Sequence, residues 1–251
     1  MTLPPALKHG SLTKFRDDLY WVQGCVKLKA PHPKLGPLTM QFSRNMTIIR
    51  DNDELTLVNS VRLDEQTLKE LETLGEVKHV VRLAAFHGMD DPFYQQRYGA
   101  TMWSVDAPYF HGVNPNQADS RYFTPDEILS ADHLPPLKGL RYFEIGSGKL
   151  NEGLFWLERD QGIAIAGDSL QNWTEPDAFF NLTAKFMMKK MGFFAHAGVG
   201  PGWMQVVKPN LSELNDFFDW SFEALIPSHG SPIEAGASEA YRASVKKLIE
   251  K

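Results

Sequence analysis

The chain has 251 residues, 43% of them hydrophobic, enough for one large core, and its single cysteine, Cys25, rules out an internal disulfide. The formal net charge of -5 comes from mixed charges, with no run of Lys and Arg to follow a phosphate backbone, which argues against nucleic acid as a partner. Met1–Gly10 lacks the pattern of an export signal and no segment stays apolar long enough to span a bilayer, so one cytoplasmic domain over residues 1–251, with no membrane partner, is expected.

In chain order, Leu19–Leu28 reads as a strand that buries Cys25 as an inert thiol. Leu38–Phe42 and Met46–Arg50 are short strands, and the second passes through a turn at Asp51–Asp53 into Glu54–Val58 as a hairpin. Asp64–Gly75 is a helix: Leu68, Leu71 and Leu74 recur at helical spacing, acids crowd the first turn, and Gly75 offers a left-handed stop. Val77–Ala85 is apolar nearly throughout, as in a strand covered on both faces, and Thr101–Ser104 is another strand after Pro92–Tyr98. Val105–Leu137, rich in Pro, Asn, Asp and aromatics, reads as a long functional loop with one short helix, capped by Thr124 and begun by Pro125. Strands follow at Leu140–Ile145, Gly153–Leu157 and Gly162–Gly167, with a tight turn at Arg159–Gly162. Pro176–Met191 reads as a helix with Phe179, Phe180, Phe186 and Met187 as its apolar stripe, and Ser212–Trp220 as a helix capped by Ser212. Phe222–Ile226 is the last strand, and Ser238–Lys251 a closing amphipathic helix through Tyr241, Val245 and Leu248.

Acidic and histidine residues stand where the apolar strands stop: His87 and Asp91 after Val77–Phe86, Asp168 after Ile163–Gly167, and His229 after Phe222–Ser228. Strand ends are where a layered α/β protein gathers side chains from distant parts of the chain, so these four residues predict one shared site.

Three segments, Leu55–Ser60 followed by a helix, Ile165–Ser169, and Ile226–Pro232, resemble in order and spacing the metallo-β-lactamase fold, and the similarity runs from about Met46 to the C-terminus. The resemblance implies an α/β, four-layer αββα sandwich and a metal site between its sheets. Catalytic members read H-x-H-x-D-H in the central loop. Here His87 takes the first place, Met89 the second histidine's, Asp91 the aspartate's and Pro92 the third histidine's, while Ser147 stands for a fourth histidine. Methionine suits zinc poorly beside carboxylates and proline has no donor, so a dinuclear centre is not expected. His87, Asp91, Asp168 and His229 are then the metal ligands of at most one zinc, iron or manganese ion. Asp91 and Asp168 are the catalytic carboxylates, Asp91 holding the ion or acting as general base, and His87 a pocket residue hydrogen-bonded to Asp168 or a ligand to the ion.

The implied activity is hydrolysis of a small-molecule substrate entering beneath the Val105–Leu137 loop. The alternative is a non-catalytic small-molecule or protein binding module that has lost the metal centre. Asp90 replaces Asp91 if the loop register slips by one. His111 or His196 would replace a lost ligand from a new direction, whereas His9, His32, His79 and His133 read as bystanders. Trp103, Tyr109, Phe110, Tyr122 and Phe123 are candidates to line the pocket or anchor the loop. No dinucleotide fingerprint, P-loop, G-x-S-x-G elbow or C-x-x-C occurs, which removes the usual support for nucleotide, serine-hydrolase and thiol-redox chemistry.

Overall fold

The computed structural model describes residues 3, 5–30, 36–111 and 120–250. A seven-stranded sheet has spatial order β1 to β7, from β1 (Thr13–Arg16) through β2 (Leu19–Ala30), β3 (Leu38–Asp51), β4 (Glu54–Val58), β5 (Glu76–Arg82) and β6 (Thr101–Ser104) to β7 (Glu127–Ile128). Its pairings are antiparallel up to β4 and parallel from β4 to β7. A second sheet is built from β8 (Leu140–Ile145), β9 (Glu152–Leu157), β10 (Ile163–Ile165) and β13 (Ala224–Ile226) in the order β13-β10-β9-β8, and β11 (Leu170–Gln171) pairs with β12 (Gly198–Val199).

Alternation along the strands sets the layers, because successive side chains point to opposite faces. Ile49, Val58 and Val81 of the first sheet meet Phe155, Ile163, Ile165 and Ile226 of the second in the space between the sheets. Their neighbours Ile48, Leu57 and Val80 turn outward onto α1 (Glu65–Glu72) and α2 (Asp91–Tyr98) through Leu68, Leu71, Phe93 and Tyr94. Leu154, Ala164 and Leu225 turn the other way, onto α4 (Pro201–Val207), α5 (Leu214–Phe218) and α6 (Ala237–Ile249) through Trp203, Phe217, Tyr241 and Val245. The remaining helix, α3 (Leu182–Lys190), packs by Ala184 and Met188 against Met40, Trp173 and Phe180. The architecture is the αββα sandwich, and among the described residues no helix is long and apolar enough to cross a membrane.

Several local readings change. Leu38–Phe42 and Met46–Arg50 belong to one 14-residue strand, whose central Ser43, Arg44 and Asn45 are buried rather than at a break. Their polar groups are engaged from elsewhere in part: the Ser43 hydroxyl donates to Asp177, Arg44 Nη2 to Asp90, and Asn45 Nδ2 to the carbonyls of Pro227 and Gly230, while Arg44 Nε and Nη1 and Asn45 Oδ1 are buried without a hydrogen-bond partner. α1 closes at Thr73 and not at Gly75, whose φ of +156° serves a different need, since a Cβ there would meet the Asp53 carbonyl at 2.5 Å. No helix starts at Thr124. Asp126 instead bonds both to the amide and to the carbonyl of Met102, which draws the next residues into β7 beside β6. The helix expected from Pro176 begins at Leu182, capped by Asn181, so Phe179 and Phe180 are buried ahead of it while Phe186 is 73% exposed. Asn210, not Ser212, caps the 3-10 turn Leu211–Glu213 that leads into α5. Pro92–Tyr98 lies in α2, and α4 had no counterpart in the sequence reading. His32 and residues 112–119 of the long loop lie outside the described residues.

Candidate metal centre

The loop after β5, the turn after β10 and the loop after β13 end at the same edge of the sandwich. They bring together His87, Asp168 and His229, all buried, with one donor atom from each lying within 4.8 Å of the others. His229 Nε2 stands 3.0 Å from Asp168 Oδ1, and His87 Nε2 is 3.5 Å from Asp168 Oδ2. The two imidazole rings are 5.2 Å apart between centroids.

The protonation of this cluster follows from its partners. His229 Nδ1 lies 3.0 Å from the Ser43 carbonyl oxygen, which can only accept, so Nδ1 carries a hydrogen. In the neutral ring Nε2 then presents a lone pair to an acidic oxygen, an arrangement that requires a proton or a metal cation between them. Burial pushes the His87 ring toward its neutral form against the pull of Asp168. Burial alone would raise the Asp168 carboxyl, but the charge and hydrogen bonds of His87 and His229 outweigh it and hold the group ionised. Two imidazole nitrogens and one carboxylate, with Asp168 Oδ2 and His87 Nδ1 buried and lacking hydrogen-bond partners, fit a single divalent ion with coordination positions left for water or substrate.

The surroundings hold these groups in place. The His229 ring lies 4.8 Å from Trp173 and 6.1 Å from Phe42, so aromatic walls fix its plane. Glu152, which the sequence reading passed over, is 1% exposed at the start of β9, and its Oε1 accepts the Ser169 amide at 2.7 Å. The close approach depends on Gly167, where a Cβ would sit 2.9 Å from the Glu152 carboxyl carbon. Burial and the charge of Asp168 keep this carboxyl protonated well above the usual carboxylate range. Asn59, at φ +55° just past β4, is the second unforeseen residue. Its side chain donates to Ser228 Oγ (2.7 Å) and the Ala166 carbonyl (3.3 Å) and accepts from the Leu83 amide (3.0 Å). One amide thereby joins both sheets beside the Asp168 and His229 loops. Its sequence signal is its place in the Leu55–Ser60 segment, just past the apolar run.

Asp91 stands apart from this group. It belongs to no group of three metal-ligating side chains among the described residues. One of its oxygens accepts the Ser60 hydroxyl and the other the Tyr109 hydroxyl, each at 2.6 Å, and burial raises its carboxyl. Heading α2, it braces the loop through these two hydroxyls. The Tyr109 ring in turn stacks on the fully buried Arg82 at 3.6 Å, and Arg82 bonds to Ser104 Oγ and to the carbonyls of Ala85, Ala107 and Pro108. Asp90 Oδ2 is engaged by Arg44 and by the Arg62 amide.

Among the described residues, neither His111 nor His196 belongs to the cluster. His111 is exposed and stacks on Tyr122 at 4.3 Å, and His196 is exposed at a turn. Ser147 accepts the Asn210 amide, and Met89 is 39% exposed. Cys25 is buried with its thiol pushed up by that burial, as an inert core residue should be. An open cleft of about 530 Å³ lined by Asp18, Arg50, Asp51, Lys138 and Arg159 lies at the other end of β3 and β4, with exposed charges of both signs and none of the site residues.

No protein-family model matches the chain, and no curated protein does. Solved structures do. The DIM-1 metallo-β-lactamase is 11% identical, with 97% of this chain and 99% of that one covered at a TM-score of 0.59. FIM-1 from Pseudomonas aeruginosa, a metallo-β-lactamase seen in a mono-zinc form, is 16% identical over 98% of each chain at 0.56. A metallo-β-lactamase from Hirschia baltica is 16% identical, with 94% and 97% covered at 0.54. Coverage of nearly the whole chain at such low identity establishes the metallo-β-lactamase fold.

Proposed function

We propose that the chain is a metal-dependent hydrolase acting on a small-molecule substrate in the cytoplasm, with one zinc, iron or manganese ion held by His87, Asp168 and His229. The observation that carries this reading is the His229 ring, whose Nδ1 is tied to the Ser43 carbonyl so that Nε2 faces Asp168 Oδ1 at 3.0 Å. A backbone carbonyl behind one ring nitrogen is what fixes the tautomer of a metal-bound histidine. The mono-zinc form of FIM-1 supports a single ion in this fold. When bound, such an ion lowers the pKa of a coordinated water and polarises a substrate oxygen.

The chain's own groups divide the remaining work. Asp168 supplies the negative charge, and Glu152, bonded to the adjacent Ser169 amide, orients it and keeps a proton that a solvent-exposed carboxyl would lose. Asp91 supports the loop from below, so Asp168 is left as the carboxylate at the reacting centre. Elemental analysis of protein purified without chelator tests the reading. One ion per chain, lost in Asp168→Ala and His229→Ala, is expected, together with metal-dependent turnover of at least one ester, amide or phosphodiester probe. Two ions would mean a rebuilt second site, and none would favour the binding-module alternative.

A further inference from the structure

The acidic chain contains one long stretch with no acid. Between Asp177 and Glu213 there is neither Asp nor Glu, while Lys185, Lys189, Lys190 and Lys208 fall inside it, in a sequence with 31 acidic and 26 basic residues. Three of those lysines ride on α3, the same helix that carries the most exposed large apolar side chains of the described residues, Leu182 at 83% and Phe186 at 73%, with Met191 at 44% just past its end. Leu182 and Phe186 are four apart and share one face, flanked by Lys185 and Lys189, while Ala184 and Met188 hold the opposite face against Met40, Trp173 and Phe180. Two large apolar side chains held out in water cost free energy unless something covers them.

We propose that α3 docks on an anionic lipid surface, with Leu182 and Phe186 inserted among the acyl chains and Lys185, Lys189 and Lys190 over the headgroups. A basic helix with protruding apolar side chains is the composition that lies in a membrane interface, and it needs no spanning segment. A symmetric self-contact through the same face would set three lysines against three, with no acid on the helix to offset them. The docked face adjoins the metal centre: α3 packs on Trp173, and Trp173 lies 4.8 Å from the His229 ring. Docking would hold the histidine edge near the membrane plane, where an amphiphilic small molecule is concentrated.

The test is co-sedimentation of the full chain with phosphatidylcholine vesicles, with and without phosphatidylglycerol. Binding to the anionic vesicles should exceed that to the neutral ones by about tenfold, fall by about as much in Lys185→Gln/Lys189→Gln/Lys190→Gln, and weaken from 0.05 to about 0.5 M salt. Leu182→Ser/Phe186→Ser should also release the protein, with an unchanged thermal melt because both side chains are already in water. Equal binding to neutral vesicles, no binding to either, or binding that the Ser variants leave intact would overturn the proposal. So would a concentration-dependent dimer, seen by sedimentation equilibrium, that the Ser variants dissociate. None of these readouts depends on metal or turnover.

Discussion

Asn59→Ala should cost about 4 kcal/mol of stability: three buried hydrogen bonds at roughly 1 kcal/mol each, and about 1 more for placing alanine in left-handed backbone. The three bonds run to Ser228 Oγ, the Ala166 carbonyl and the Leu83 amide, and Asn59 is 2% exposed, so water does not replace them. Asparagine is among the few residues that accept a φ of +55° readily. Asn59→Gly removes the same bonds without that backbone strain and should lose about 3 kcal/mol, plus the cost of the extra entropy that glycine gives the unfolded chain. Urea unfolding of the metal-free protein at neutral pH measures both. Because Ala166 and Ser228 lie beside the loops of Asp168 and His229, metal affinity should fall as well, by about tenfold as for other supporting contacts. A loss under roughly 1 kcal/mol in Asn59→Ala, with unchanged denaturant slope, would refute the idea that this side chain ties the sheets together.

Metal occupancy should fall on acidification, since protons compete with the ion for the imidazole and carboxylate donors, and dialysis against zinc at graded pH followed by elemental analysis checks it. Glu152 is raised above its ordinary value near 4.5, so the folded protein holds its proton more tightly than the unfolded chain does. That stabilisation is complete below about 4.5 and is lost as pH rises through the folded value, so Glu152→Gln should flatten the alkaline decline in urea midpoint. Parallel profiles would count against it. Arg82→Met should destabilise by about 3 to 5 kcal/mol, because it strands several loop carbonyls and the Asp91 charge, and a melt showing less than roughly 1 would reassign the brace. Trp156→Ala should cost only about 2 kcal/mol, below the cost of a fully buried tryptophan, because the ring is half-exposed although Nε1 bonds to the Ser221 carbonyl.

The layers were legible because the strands state them: Ile48 and Ile49, or Ala164 and Ile165, already alternate between two apolar surroundings. The meeting of His87, Asp168 and His229 was legible for a related reason, since a polar residue directly after an apolar strand has a fixed address at the sheet edge. Asp91 misled because its address lies one helix start further on, where neighbouring hydroxyls from Ser60 and Tyr109 decide its direction and no local pattern announces them. Glu152, Asn59 and Arg82 were invisible for the same cause. Each looks like an ordinary polar residue in or beside a strand, and its role comes from partners such as Ala166 and Ser228, more than a hundred residues from Asn59. The helix expected over Phe179 and Phe180 failed because burial against Trp173 can be met by an irregular segment as well as by a helix face.

The route of the chain through the His229 contacts has a consequence for how the protein folds. His229 reaches Asp168 across 61 residues and Ser43 across 186, so these contacts close only when the last strand has docked onto β10 and the two sheets have met. Long closures are slow and are repaid late in folding. An ion bound at this junction would therefore recognise finished molecules and ignore partly folded ones. At a free concentration 100 times its dissociation constant it would add about 2.7 kcal/mol to the native state alone. Metal supply would then govern how long each copy survives proteolysis, apart from any reaction it performs.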